Sequence, residues 1–283
     1  MVRISNNILS AEFNEFGAEL KSLKKGKEEY IYGGDSKFWN ESSPVLFPIC
    51  SALKDDTYYI DGKKYKMDKH GFAKNMLFSV EEKSENQVTF LLVDNAHTLK
   101  IYPYKFEFRI RYTLRENKLD VEYIIKNTND NEMFFSVGAH EGYSCPEGIE
   151  DYDILLPSKQ TLKSNILSGP DTLGYEQMEI LNDNNIFPLK NEYFKDDALI
   201  FLNIPFDNLI LENRNTKKAI KITFKDFPYL LIWTKPFAPY ICVEPWCGIT
   251  DRLGTNQDFK TKEGIEKLSS NSTFKRIHTI EIL

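Results

Sequence analysis

Between Phe106 and Lys126 apolar residues fall on every second position. Phe106, Phe108, Ile110, Tyr112 and Leu114 alternate with Glu107, Arg109, Arg111, Thr113 and Arg115. After the polar turn Glu116-Asn117-Lys118 the pattern resumes with Leu119, Val121, Tyr123 and Ile125 against Asp120, Glu122 and Lys126, and Ile124 is the exception on the polar face. A period of two across a short polar turn predicts a β-hairpin with one buried face. On that reading Arg109 and Arg111 are solvated strand-face charges and not a phosphate clamp.

Similar pairs recur along the chain. Leu77 to Val80 and Val88 to Val93 flank the turn Glu81 to Gln87. Ala198 to Asn203 and Leu209 to Glu212 flank Ile204 to Asn208, and Ala219 to Phe224 leads through Lys225 to Pro228 into Tyr229 to Trp233. Only Gln257 to Leu268 suits a short helix, and Cys145 to Tyr193 reads as a long polar loop region, the kind that usually carries functional surface. Many short strands divided by turn signals predict an all-β, antiparallel sandwich. No Gly/Ser/Pro linker or composition shift divides residues 1–283, so a single domain is expected.

The 13% aromatic content suits a large core and an aromatic-lined concave surface. A net charge of −6 without a basic block argues against nucleic acid, which needs concentrated Lys and Arg. No apolar run reaches the roughly 18 residues of a membrane span, and the first residues carry no apolar signal region. The scattered Cys50, Cys145, Cys242 and Cys247 read as free thiols of a cytoplasmic protein.

Chemistry concentrates in a few places. Val243-Glu244-Pro245-Trp246-Cys247-Gly248 sets a carboxylate beside an indole. Two of the four histidines, His70 before Gly71-Phe72-Ala73 and His140 after Gly138-Ala139, sit among small residues. A carboxylate, an aromatic plate and two imidazoles suit proton transfer on a sugar. Taken singly, Glu244 reads as a strand-end surface carboxylate, His70 as a turn residue and His140 as a core histidine. His97 and His278 read as structural. Zinc on His70, His140 and Glu244 lacks ligand spacing, and a glycosidase pair of Glu244 with Asp197 needs a defined separation.

In order, Gly17-Ala18-Glu19-Leu20, Pro44 to Pro48, Lys69-His70-Gly71-Phe72-Ala73-Lys74, Val137-Gly138-Ala139-His140, Asp196 to Phe201 and Val243 to Gly248 resemble the motifs of the aldose 1-epimerase (galactose mutarotase-like) family. The resemblance spans essentially the whole chain and implies a large antiparallel β-sandwich, the galactose mutarotase-like supersandwich, with a sugar cleft on one face. It implies interconversion of α and β anomers of a monosaccharide, with no cofactor or metal required. Glu244 would be the base, His140 the acid and His70 a second imidazole near the ring oxygen. Asp197 (favoured over Asp196), Lys74 and Trp246 would contact substrate, with Trp39 and Phe237 as weaker wall candidates. Reference pKa values of about 4.3 and 6.5 lead one to expect an ionised Glu244 and, after a modest shift, a protonated His140 near neutral pH.

Three departures stand out. The family's arginine after Phe-Pro is absent, with Ala52 in its expected place. The arginine after His-Gly-Phe-Ala is Lys74, which lacks the planar fork, and the proline after the second histidine is Glu141. The first and third are expected to alter the rim of the site. A silent carbohydrate-binding protein and a hexose-6-phosphate 1-epimerase using Lys54, Lys69 and Lys74 remain the alternatives. The protein is expected to act as a monomer or weak homodimer.

Overall fold

A computed structural model describes residues 1–169 and 171–283. Four strands open the chain: β1 (Val2–Ser5), β2 (Leu9–Asn14), β3 (Glu19–Lys25) and β4 (Glu28–Glu29) form a small antiparallel sheet in that order. A separate hairpin follows, β5 (Thr57–Ile60) with β6 (Lys63–Lys66). Next come β7 (Ser79–Lys83), β8 (Gln87–Val93), a single helical turn α1 (Thr98–Ile101), β9 (Phe106–Arg115) and β10 (Lys118–Asn127). The central run holds β11 (Met133–Phe135), β12 (Val137–Gly138), β13 (Glu141–Ser144), β14 (Tyr152–Leu167) and β15 (Leu173–Pro188). The last third holds β16 (Leu199–Leu202), β17 (Asn208–Asn213), β18 (Ala219–Thr223), β19 (Tyr229–Trp233), β20 (Tyr240–Cys247), β21 (Glu266–Leu268) and β22 (Thr273–Ile282).

The 14-stranded sheet runs β12-β20-β19-β16-β14-β17-β18-β22-β10-β9-β8-β7, with β13 also on β20 and β15 on β14. The architecture is a large antiparallel β-sandwich. The β9–β10 hairpin pairs from Phe106↔Asn127 to Arg115↔Lys118, and its Phe106, Phe108, Ile110, Leu119, Val121 and Ile125 are fully buried. Arg109 lies on the opposite face, bonded to Glu81 and Glu107 at 2.6 and 2.7 Å. Phe47 packs among Phe72, Phe106, Phe108 and Phe135, tying the segment before His70 to the core.

The β7–β8 hairpin forms as expected, with a shorter turn. Two other expected hairpins do not. β16 pairs with β14 and β19, and β17 pairs with β14 and β18. β18 goes to β17 and β22, and β19 to β16 and β20. Alternation identifies a strand but not its partner. The expected loop region holds the paired 16-residue strands β14 and β15. Much of β15 is exposed on both faces, so no alternation marks it. The expected helix at Gln257–Leu268 is instead a 3-10 turn at Phe259–Thr261 followed by β21. Gly264, at φ +75°, interrupts any helix there.

Candidate active site

β12 and β13 are two short pieces laid against β20, separated by Ala139 and His140. The register is Gly138↔Trp246 on one side and Glu141↔Val243 on the other. Continued across the gap, it sets His140 opposite Glu244. The Ala139 N–H still donates to the Pro245 carbonyl at 3.1 Å, so the run stays seated while ladder pairing is interrupted. Cross-strand neighbours project from one face, and His140 Nε2 lies 3.4 Å from Glu244 Oε2.

Gly138 is required here. A Cβ on it would meet the Trp246 ring at 2.4 Å. The indole packs against this bare backbone and donates to the Ala139 carbonyl at 2.9 Å. Trp246 is thereby the buried floor of the site.

His70 arrives from a different part of the chain. Its backbone is left-handed (φ 69°), and its N–H donates to the Ser51 carbonyl at 2.7 Å. The Ser51 N–H donates back to His70 Nδ1 at 3.1 Å. An Nδ1 that accepts carries no proton in the neutral ring, so the proton sits on Nε2. The next residue, Gly71, has no room for a Cβ, which would lie 2.3 Å from the Phe47 carbonyl oxygen. The imidazole stands edge-on to both His140 (5.3 Å between centroids) and Trp246 (5.8 Å).

These groups share a cavity of about 460 Å³. Its walls add Trp39, 5.1 Å from the His140 ring, and Trp233, edge-on to Trp39 at 5.5 Å. Asp197 lines it half-buried, whereas Asp196 is 88% exposed at the rim. Lys69 reaches Asp171 at 2.6 Å, and Lys195 lies 3.9 Å from Asp196.

Lys74 is not among the lining residues. It is held at 3.0 Å by Glu41, which does line the cavity and also accepts from Trp39 Nε1 at 3.2 Å. Phe237 is 80% exposed and outside the cavity. Lys54 lines a separate hollow beside Ala52. Ala52 is buried and its carbonyl accepts from Thr250 Oγ1 at 3.1 Å, so the residue facing the site in that segment is Ser51. Glu141 is also buried, on the core side of β13. The expectation that Ala52 and Glu141 alter the rim is therefore wrong: Ala52 packs behind the wall, and Glu141, next to His140 on an extended run, points the other way.

Sequence reasoning missed Trp233, Glu41 and Asp171. Trp233 ends an apolar strand, a readable signal. Glu41 and Asp171 sit in irregular segments whose direction only the fold sets.

The electrostatics reverse the expected protonation. Burial raises the Glu244 carboxyl well above its usual range; nearby Asp197 adds to this, and Glu141 adds less. Burial also lowers His140 to about 3, with Lys74 and Lys69 contributing. His70 is pushed well below its usual value by burial, then by His140 and the same lysines. A low-dielectric setting disfavours every charged form, so burial favours a protonated Glu244 beside a neutral His140.

Among the described residues one set, His140, Cys242 and Glu244, brings metal-ligand atoms within 4.8 Å of one another. Burial holds the Cys242 thiol well above its ordinary pKa, which disfavours the thiolate a metal needs. The four cysteines are unpaired and buried, and among the described residues no helix is long and apolar enough to cross a membrane.

A cleft that sets a carboxylate–imidazole pair between aromatic walls on a β-sandwich has the makings of a sugar site. The aldose 1-epimerase family matches residues 1–263, and this chain belongs to it. It is 30% identical over 297 residues to the chromosomal protein LacX of Lactococcus lactis subsp. lactis, covering 100% of this chain and 99% of that protein. A galactose mutarotase related enzyme from Lactobacillus acidophilus superposes with a TM-score of 0.95 at 32% identity, covering 100% of this chain and 97% of that one. A galactose mutarotase-like protein from Lactobacillus casei superposes at 0.94 with 31% identity, covering both chains fully.

Proposed function

We propose that the protein is a cytoplasmic, cofactor-independent aldose 1-epimerase acting on an unphosphorylated monosaccharide. The observation that carries this reading is the cross-strand contact of His140 with Glu244 in a cleft walled by tryptophans.

Anomer exchange begins when a base removes the proton of the anomeric hydroxyl while an acid protonates the ring oxygen and the C1–O5 bond opens. The carbonyl compound rotates about C1–C2 and recloses on its other face, and the same groups return the protons. Glu244 as carboxylate and His140 as imidazolium would supply base and acid. Ring opening then leaves Glu244 protonated and His140 neutral, the uncharged pair that burial favours. To enter the cycle from the uncharged pair, one proton must pass from Glu244 to His140, and the 3.4 Å contact is its route. Sugar hydroxyls replace lost hydration around the charged form. The Nε2–H of His70 is a fixed donor for the ring oxygen or a neighbouring hydroxyl, and Asp197 would accept from another hydroxyl.

Charge argues against a phosphorylated substrate. Lys69, Lys195 and Lys235 line the cavity, but so do Glu41, Asp171, Asp196, Asp197 and Glu244, and Lys69 is already paired. A dianion would meet more carboxylates than ammonium groups.

Anomer-exchange NMR at chemical equilibrium tests the proposal across hexoses, pentoses and hexose phosphates. Acceleration is expected for a free aldose. Buffer rates throughout would favour a sugar-binding protein, and acceleration confined to phosphates would favour the hexose-6-phosphate reading.

A further inference from the structure

The core face of β13 carries a second carboxylate–imidazole pair. Glu141 Oε1 lies 3.0 Å from His278 Nε2, and both residues are buried. His278 comes from β22, which pairs with β10 and is far from β13 in sheet order, so the contact crosses the sandwich interior. Tyr123 stacks on His278 at 5.7 Å and Phe227 meets it edge-on at 6.1 Å. Glu141 Oε2, His278 Nδ1 and the Tyr143 hydroxyl have no hydrogen-bond partner among the described residues.

A buried ionisable pair with unmet hydrogen-bonding capacity is a poor way to stabilise a core, where well-packed apolar residues do as well or better. Local departures of this kind concentrate at functional sites. Here the place is telling. Glu141 follows His140 directly and is registered against Val243, the residue before Glu244. The peptide between His140 and Glu141 therefore connects the core pair to the catalytic pair, on opposite faces of the same strand run.

We propose that Glu141 and His278 form a positioning pair, which holds the strand bearing His140 in place and sets how readily the His140–Glu244 pair gives up its proton. The claim rests on the epimerase reading for its kinetic part only. The carboxylate of Glu141 lies close enough to help raise Glu244. Other charges facing the catalytic pair are Asp197, Lys69 and Lys74, with His70 and the Cys242 thiol nearby. Around Glu141 itself are His278, the Tyr112, Tyr123 and Tyr143 phenols and the Cys242 thiol; burial first, with Glu141 adding to it, raises the three phenols and the thiol.

Glu141→Gln keeps shape and a hydrogen bond to His278 while removing the charge. In the sugar-free protein, 13C and 15N NMR of Glu244 and His140 should show proton loss from the pair moving towards lower pH, because a like charge that helps raise Glu244 is removed. The alkaline limb of turnover should move equally, with the plateau kcat and KM little changed, because the hydrogen bond to His278 is kept. Titration and limb coincident with wild type would overturn the proposal. Glu141→Asp keeps the charge but withdraws it from His278. It should lower kcat and leave the limb in place, and it carries the test if Glu141→Gln does not fold. An unaltered kcat in Glu141→Asp would overturn the positioning role. The NMR titration needs no turnover, so a protein inactive on every sugar would refute the epimerase reading without deciding this one.

Discussion

Replacing Glu244 with Gln should push activity and stability in opposite directions. The side chain is 2% exposed, and burial raises its carboxyl well above the ordinary 4.5. The folded-state pKa thus exceeds the unfolded one. Its contribution to stability is fully present below pH 4.5 and is lost as pH rises towards the folded value. The loss is about 1.4 kcal/mol per pH unit across that window. A glutamine does not titrate, so the variant escapes the loss. Its melting temperature should match wild type near pH 4.5 and move ahead at higher pH. Each kcal/mol is worth about 2 °C in a chain of 283 residues. Anomer exchange should meanwhile fall by about 10²–10⁴-fold, the usual value of a positioned proton transfer. Differential scanning fluorimetry between pH 4.5 and 7.5, paired with exchange NMR, reads both. A stability gap that fails to open with pH would refute the buried-carboxyl argument, and retained turnover would remove Glu244 from the base role.

Because His140 is lowered to about 3, kcat/KM should stay level as pH falls from 7 towards 5, and an acid limb near 6.5 would show that the imidazole titrates normally. Both limbs belong to the coupled pair, so His140→Asn should abolish or move the alkaline one. Heteronuclear NMR of His70 should show an unprotonated Nδ1 and no titration at the usual imidazole value; protonation near 6.5 would contradict its burial. Trp39→Ala removes one aromatic wall, and KM should rise by about 2- to 12-fold, the worth of one aromatic contact; an unchanged KM would place the sugar elsewhere. Ala52→Arg should destabilise the protein without tightening hexose binding, since that side chain packs behind the wall, and calorimetry showing a gain would overturn this placement.

Much of the molecule was legible from local pattern. The alternation from Phe106 to Lys126 specified a hairpin, with a turn one residue longer than the observed Glu116-Asn117, because a strand with one buried face must alternate. The proximity of His70, His140 and Glu244 was suggested by motif order, and the structure brings all three to one cavity. Strand partnership was not legible: β16 to β19 have the pattern of two hairpins yet pair elsewhere, since hydrogen bonding between backbones carries no sequence label. The exposed β14–β15 arm was invisible because little of its outer strand is buried. Nor could sequence fix protonation. Glu244 and His140 have ordinary reference pKa values in any chain, and only the closing of a sandwich around them removes the water that would keep their charges. The same closure turned Glu141 inward onto His278, a residue 137 positions away that has no neighbourhood relation to it until the two parts of the sheet face each other.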